Sequence, residues 1–243
     1  MSFFATWTKE LSHALAELSF SPPVAHVYNP LVYARRAHLE YLDRFGSGTK
    51  EVVFLGMNPG PWGMVQTGVP FGEVELVRDW LGIDDGVDPP QDQHPKRPIE
   101  GFDCSRSEVS GRRLWGWVAD RYGEPGRFFE RHFVANYCPL AFLEESGRNL
   151  TPDRLRVAER KPLLAICDRA LERLIAHLAP RRVIGVGRFA ERRARAALES
   201  TDVAIGCGLH PSPASPAANR GWEERWERDL AEAGVELPAS AQD

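Results

Sequence analysis

Three polar side chains in this 243-residue chain stand where a strand-like run gives way to a loop. Asn58 follows "VVFLGM", Asn136 lies near the end of "RHFVANYC", and His210 follows "VAIGCGL". An amide offers a donor and an acceptor on one planar group, and an imidazole can donate a hydrogen bond while neutral. Taken singly, each has a plain explanation, since Asn is a turn residue and His is frequent at surfaces. Together they form a pattern, because ligands of open α/β sheets bind beyond the carboxyl ends of the strands.

The segments next to these residues are unusual. "GMNPGPWGMVQTGVPFGEV" (56–74) carries five glycines and three prolines. Glycine lets backbone approach a ligand closely, and proline fixes the path. Phe71, set between Pro and Gly, can stack on a planar ring instead of joining the core. The loop has no Lys and no GxGxxG spacing, so it is shaped for a flat neutral group and not for a triphosphate or a dinucleotide. "GLHPSPASPAANRGW" (208–222) follows His210 with Pro, Ser, Ala and Asn, which suit neither a regular helix nor a central strand. Such a run is either a surface turn beside an incidental His or a stiff wedge with a catalytic His at its root.

These residues need a frame. "EVVFLG", "RHFVANYC", "RRVIGVG" and "DVAIGCG" are short β-branched apolar runs that predict buried parallel strands. Helical spacing is found at 8–18, 31–42, in "VSGRRLWGWVADRYG", in the long run from Thr151 to Pro180, and in "RFAERRARAALES". The Thr151–Pro152 pair reads as a helix start, and Pro162 predicts a break into two helices. Strands alternating with helices imply a three-layer α/β/α sandwich around a central, mostly parallel four-stranded sheet. Residues 84–103, rich in Pro and Asp, read as an exposed excursion. The chain reads as one domain over 1–243, with a helical segment at 1–23 and an acidic tail at 223–243 that begins as a helix and then frays.

Composition narrows the function. No run approaches a membrane span, and the start lacks a signal-peptide pattern, so a soluble intracellular protein is expected, with no membrane partner. Cys104, Cys138, Cys167 and Cys207 are scattered, with no CxxC or CxH spacing, so free thiols and no metal are expected. The net charge is −4, but it is uneven. Residues 71–103 hold nine acidic and three basic residues, whereas 151–195 hold twelve basic and five acidic ones. A basic segment in an acidic protein can be a phosphate footprint, although amphipathic helices expose charge anyway.

The two loop segments resemble the signature motifs of the single-strand-selective monofunctional uracil-DNA glycosylases. "SEVSGRRLW" (107–115), "FVANYCPL" (133–140) and "EESGRNLTP" (144–152) resemble intervening blocks of that family, so the likeness spans roughly residues 24 to 222. Trp62 stands where the family pattern carries Phe. The resemblance implies hydrolysis of the N-glycosidic bond of uracil or an oxidised uracil, such as 5-hydroxymethyluracil, in single- or double-stranded DNA, as the first step of base excision repair. It implies that the flipped base stacks on Phe71 and that Asn136 reads its edge. By the same resemblance, Met57 and Gly60 would line the pocket near ring position 5, His210 would donate to O2 of the leaving base, and Asn58 would position the attacking water. Pro211, Ser212, Pro213, Ala214, Ser215, Pro216, Asn219 and Arg220 would then form the wedge that fills the vacated stack.

Neither motif contains a Lys nucleophile, so an abasic site without strand cleavage is expected. No cofactor is implied. A monomer is expected, in the cytoplasm of a bacterium or the nucleus of a eukaryote. Several alternatives stand beside this reading. An iron–sulfur relative would need placed cysteines. An enzyme specialised for xanthine or hypoxanthine would use the same motifs. A lesion-binding protein without catalysis would have to lack a competent Asn58 or His210, and a nucleoside hydrolase needs no wedge.

Overall fold

Four continuous apolar runs pair into the sheet that carries the polar residues at its end. In chain order the strands are β1 (His26–Tyr28), β2 (Val52–Gly56), β3 (His132–Asn136), β4 (Ala141–Leu143), β5 (Asn149–Leu150), β6 (Arg182–Val186) and β7 (Ala204–Gly208), in a computed structural model that describes residues 2–239. The four expected strands lie side by side as β3-β2-β6-β7, all parallel. Every residue of β2 is buried, which is why its sequence is apolar throughout and does not alternate.

The helices are α1 (Phe3–Ala16), α2 (Pro30–Tyr33), α3 (Arg35–Phe45), α4 (Met64–Thr67), α5 (Val109–Tyr122), α6 (Pro125–Phe129), α7 (Val157–Leu178), α8 (Arg188–Ala197) and α9 (Trp222–Glu232). Phe54 of β2 packs against Phe128 of α6 and Trp226 of α9. The opposite face is covered by α8, with α7 and then α1 packed beyond it. This is the expected α/β/α sandwich. At the β3 edge, Tyr41 of α3 donates its hydroxyl to the Val134 carbonyl at 2.8 Å. No described helix is long and apolar enough to cross a membrane.

Three expectations are corrected. Pro162 does not break α7. It sits in the second turn, where it removes one backbone donor, and the buried stripe Leu163, Cys167, Leu171, Leu174 and Leu178 holds the helix continuous. Thr151–Pro152 opens a short 3-10 turn, and α7 begins only at Val157. The 84–103 segment is not simply exposed. It buries His94 and Ile99, and Tyr28 of β1 both donates to its Arg97 carbonyl and accepts from its His94 N–H. The tail begins as α9, as expected, whereas residues 240–243, where fraying was expected, lie outside the described residues. A second sheet, β1-β4-β5, is antiparallel and was not foreseen.

One glycine couples a helix to the loop after β2. Gly111 lies in the first turn of α5, and a Cβ there would overlap the Phe71 carbonyl oxygen. Gly111→Ala should therefore push α5 off the Phe71 turn and cost about 1–3 kcal/mol, as overpacking does. Urea unfolding measures it, and an unchanged midpoint would show that the approach is loose.

Candidate active site

The order β3-β2-β6-β7 has its switch point between β2 and β6, because the chain leaves β2 toward β3 and leaves β6 toward β7. A cavity of about 450 Å³ opens at this end of the sheet. It is lined by Met57, Asn58, Gly60, Phe71, Asn136 and His210, and also by Ser212 and Pro213. All six base-handling residues expected from the sequence thus meet in one cavity, of a size usual for small-molecule sites.

Each is held by its own device. Asn58 follows β2 and donates from Nδ2 to the Leu140 carbonyl at 3.2 Å, which leaves its Oδ1 as a free acceptor. Asn136 closes β3 opposite Gly56. A Cβ on Gly56 would overlap both the Asn136 amide oxygen and the Phe71 ring, so glycine is required for the two to pack together. The Asn136 Nδ2 faces the Met64 sulfur at 3.2 Å, a weak acceptor that a ligand oxygen can replace.

Phe71 has φ 54°, in the left-handed region that a non-glycine residue adopts only under constraint. The constraint is visible on both sides. The Trp115 indole donates to the Pro70 carbonyl at 3.0 Å, and Glu73 N–H donates to the Phe71 carbonyl at 2.7 Å. Thr67 Oγ1 accepts from Val69 N–H and donates to the Gly72 carbonyl, closing the loop on itself. Past it, Glu73 is almost fully buried and accepts from Ser107, Arg112 and Leu76 N–H.

His210 follows β7, and its ring centroid lies 6.0 Å from that of Phe71. Its Nδ1 accepts from the Ser212 N–H at 3.0 Å. An accepting Nδ1 carries no proton, so the neutral ring must carry its proton on Nε2. Burial disfavours the charged ring and lowers its pKa to about 4. Near neutral pH the site therefore presents an uncharged imidazole with one N–H donor.

The cavity also holds residues to which the sequence gave no site role: Pro61, Gly63, Met64, Glu108, Ser110, Asn149 and Thr151. Glu108 stands directly behind Gly60, and any Cβ on Gly60 would overlap its carboxylate. Burial raises the Glu108 pKa. The Asn149 Oδ1 is enclosed and has no partner. Pro61, Gly63 and Met64 belong to the loop after β2 and the start of α4, whereas Glu108 and Ser110 sit at the start of α5 and Asn149 and Thr151 in and just after β5, inside motif-like blocks with no expected site role.

The loop from Pro211 to Arg220 is braced from within. Ala214 N–H donates to Ser212 Oγ at 3.2 Å, and Asn219 Nδ2 donates to the Pro213 carbonyl at 2.8 Å. Pro213, Ala214, Pro216, Asn219 and Arg220 are exposed, whereas Pro211 is buried and Ser212 and Ser215 are half-buried. Arg113 of α5 clamps both ends, donating to the Pro211 carbonyl at 3.0 Å and to Asn219 Oδ1 at 2.9 Å. The basic stretch 151–195 is less available than its charge suggests. Arg173 pairs with Glu10, Arg193 with Asp168, and Arg188 and Arg195 both with Glu191.

All four cysteines are free, and no group of three or more His, Cys, Asp or Glu among the described residues is placed to share a metal ion.

The chain is similar to known proteins along nearly its full length. The family model "Uracil DNA glycosylase superfamily" matches residues 44–231. The chain is 53% identical to the "Single-strand selective monofunctional uracil-DNA glycosylase" of Rattus norvegicus, over 93% of this chain and 82% of the rat protein. It is 52% identical to the corresponding Mus musculus protein, over 93% of this chain and 81% of that one. Among solved structures, Pedobacter heparinus SMUG2 superposes with a TM-score of 0.67 at 14% identity, covering 93% of this chain and 96% of that one.

The Arg113 clamp has a local signature. Hydrogen bonds to a charged group contribute about 1.5–3 kcal/mol. Arg113→Ala should therefore raise amide exchange at Ser215 and Asn219 by about tenfold or more and leave β2 and β6 unchanged. Hydrogen-exchange mass spectrometry reads this, and unaltered loop exchange would show that the loop braces itself without Arg113.

Proposed function

This chain belongs to the single-strand-selective monofunctional uracil-DNA glycosylase family of the uracil-DNA glycosylase superfamily, and we propose that it removes uracil from DNA by hydrolysing the bond between base and sugar at the cavity between β2 and β6. The observation that carries this reading is the meeting of Asn58, Phe71, Asn136 and a neutral His210 in that one cavity.

A base inside a stack cannot be reached, so it is turned out of the helix at a cost of a few kcal/mol. The turned-out uracil lies against Phe71. Asn136 bonds its edge, with the amide N–H on O4 and the amide oxygen on N3–H. Cytosine presents the reverse pattern and would leave two enclosed groups unpaired, at about 1–3 kcal/mol each. Bond cleavage puts negative charge on the departing base and positive character on the sugar. The His210 Nε2–H stabilises the developing charge at O2 as a hydrogen-bond donor and keeps its proton, as a preorganised oxyanion donor does. The free Asn58 Oδ1 accepts a hydrogen bond from the attacking water and aims it at the sugar carbon; as the C–O bond forms, the water gives up a proton that neutralises the uracil anion released when the C–N bond breaks. An amide does not ionise, so water activation is modest and leaving-group stabilisation dominates.

The exposed tip of the 211–220 loop enters the space the base leaves, in single- and double-stranded DNA alike. Oxidised uracils such as 5-hydroxymethyluracil are substrates too. The Glu108 carboxylate behind Gly60 supplies an acceptor where a 5-hydroxymethyl group would bring a donor. Product leaves an abasic site and starts base excision repair.

Single-turnover assays on a labelled oligonucleotide with one uracil, followed by alkali, test the mechanism. His210→Ala should lose about 10²–10³-fold in rate, as removal of one oxyanion donor does, and Asn58→Ala should fall by a similar order. Wild-type rates in either variant would remove that residue from the reaction.

A further inference from the structure

We propose that Arg97 and Arg106, drawn together over the indole of Trp62, form a phosphate clamp for the DNA strand next to the cavity. The proposal rests on the glycosylase reading above, since it needs a DNA strand at this mouth.

Trp62 lies between Pro61 and Gly63, both of which line the cavity. The guanidinium carbon of Arg97 is 5.0 Å from the Trp62 ring centroid, and that of Arg106 is 4.8 Å from it. Two positive charges thus share one aromatic ring, within about one Debye length of each other at 0.1 M salt. Among the described residues, neither forms an ion pair, in contrast to the paired arginines of α7 and α8. Two like charges over one ring, neither ion-paired, favour the arrival of an anion.

The juxtaposition is built by buried hydrogen bonds. Gln66 is fully buried, and its Nε2 donates to the Pro61 and Pro98 carbonyls at 3.0 Å each. Its Oε1 accepts from Glu100 N–H at 2.8 Å and Gly101 N–H at 3.1 Å. One amide therefore stitches the loop of Trp62 to the segment of Arg97 with its full bonding capacity. The Glu108 carboxylate lies against Gly60 and Gly63, and among the described residues neither Glu100 nor Asp103 forms an ion pair with Arg97 or Arg106.

The Arg106 donors are uncommitted, and Arg97 keeps its Nη2 free. Among the described residues, the Arg106 guanidinium has no hydrogen-bond partner. Arg97 donates only from Nη1, to the Lys96 carbonyl, and its enclosed Nε has no partner. A guanidinium held over a ring by its carbon can still offer N–H donors to two phosphate oxygens. A cationic groove with an aromatic platform is how single strands are held without sequence preference. A DNA phosphate contact in the 62–106 region, beside the cavity mouth, follows from this pair.

The test uses a fluorescent single-stranded oligonucleotide carrying one 2′-fluoro-2′-deoxyuridine, which holds the base but resists cleavage. Anisotropy gives Kd for the wild type, Arg106→Gln and Arg106→Lys from about 50 to about 200 mM salt. Arg106 is exposed, so the variants fold, and their unfolding midpoints serve as the control. The slope of log K against log salt should be shallower in Arg106→Gln by about 0.7, the value of one single-strand phosphate contact, and should be restored in Arg106→Lys. Oligonucleotides with one neutral methylphosphonate, on either side of the uracil, should bind the wild type more weakly from one side and leave Arg106→Gln unaffected. A wild-type slope and a wild-type methylphosphonate penalty in Arg106→Gln would overturn the clamp. A wild type that releases no uracil from ordinary deoxyuridine DNA would instead overturn the glycosylase reading, so the two failures are distinct.

Discussion

Phe71 meets Gly111 backbone to backbone and Gly56 ring to backbone, and the geometry of the cavity follows from those two approaches. The first sets the loop after β2 against α5, and the second lets the Phe71 ring lie beside the Asn136 amide at the end of β3. Neither contact leaves space for a Cβ. The left-handed backbone of Phe71 costs of order 1–3 kcal/mol, offset by the Trp115, Thr67 and Glu73 bonds that surround it. A flat, rigid wall results, placed before any ligand arrives. Preorganisation of this kind matters most where a base must be held still while a bond breaks.

Ser212 links the chemistry to the loop that follows. Its backbone N–H fixes the His210 tautomer, its hydroxyl accepts from Ala214 N–H, and its side chain lines the cavity. A change in the 211–220 loop is therefore a change in the proton position on His210. The neutral ring suits the reaction. A charged imidazole would lose the Nδ1 acceptor and release the loop from its root. Positive charge is instead kept at the mouth, on arginines, where phosphates pass and the leaving base does not.

The sheet was legible because β2, β3 and β6 are buried almost throughout and so read as unbroken apolar runs, while the edge strand β7, only partly covered, keeps the same apolar character. The polar residues at their ends were legible for the same reason, since a parallel sheet gathers its strand ends on one side. The second sheet was not legible: β1 and β5 are three and two residues long, too short for any period to show. Glu108, Asn149 and Thr151 escaped for a related reason. They reach the cavity only through tertiary packing of α5 and β5, and nothing in their local spacing says so. Pro162 misled because the rule against proline inside helices weakens near an N-terminus when a long buried stripe holds the rest. The free pair over Trp62 could not be read from charge counts, which pointed instead to the 151–195 stretch, where the fold pairs Arg173, Arg188, Arg193 and Arg195 with its own carboxylates.

The protonation state of His210 carries the mechanism, and it can be observed without substrate. NMR of the ¹⁵N-histidine-labelled protein, titrated from pH 8 downward, gives both the tautomer and the midpoint. His210 should hold its proton on Nε2 throughout the neutral range and titrate at about 4. A midpoint near the ordinary 6.5, or a proton resting on Nδ1, would contradict a neutral donor to the departing base.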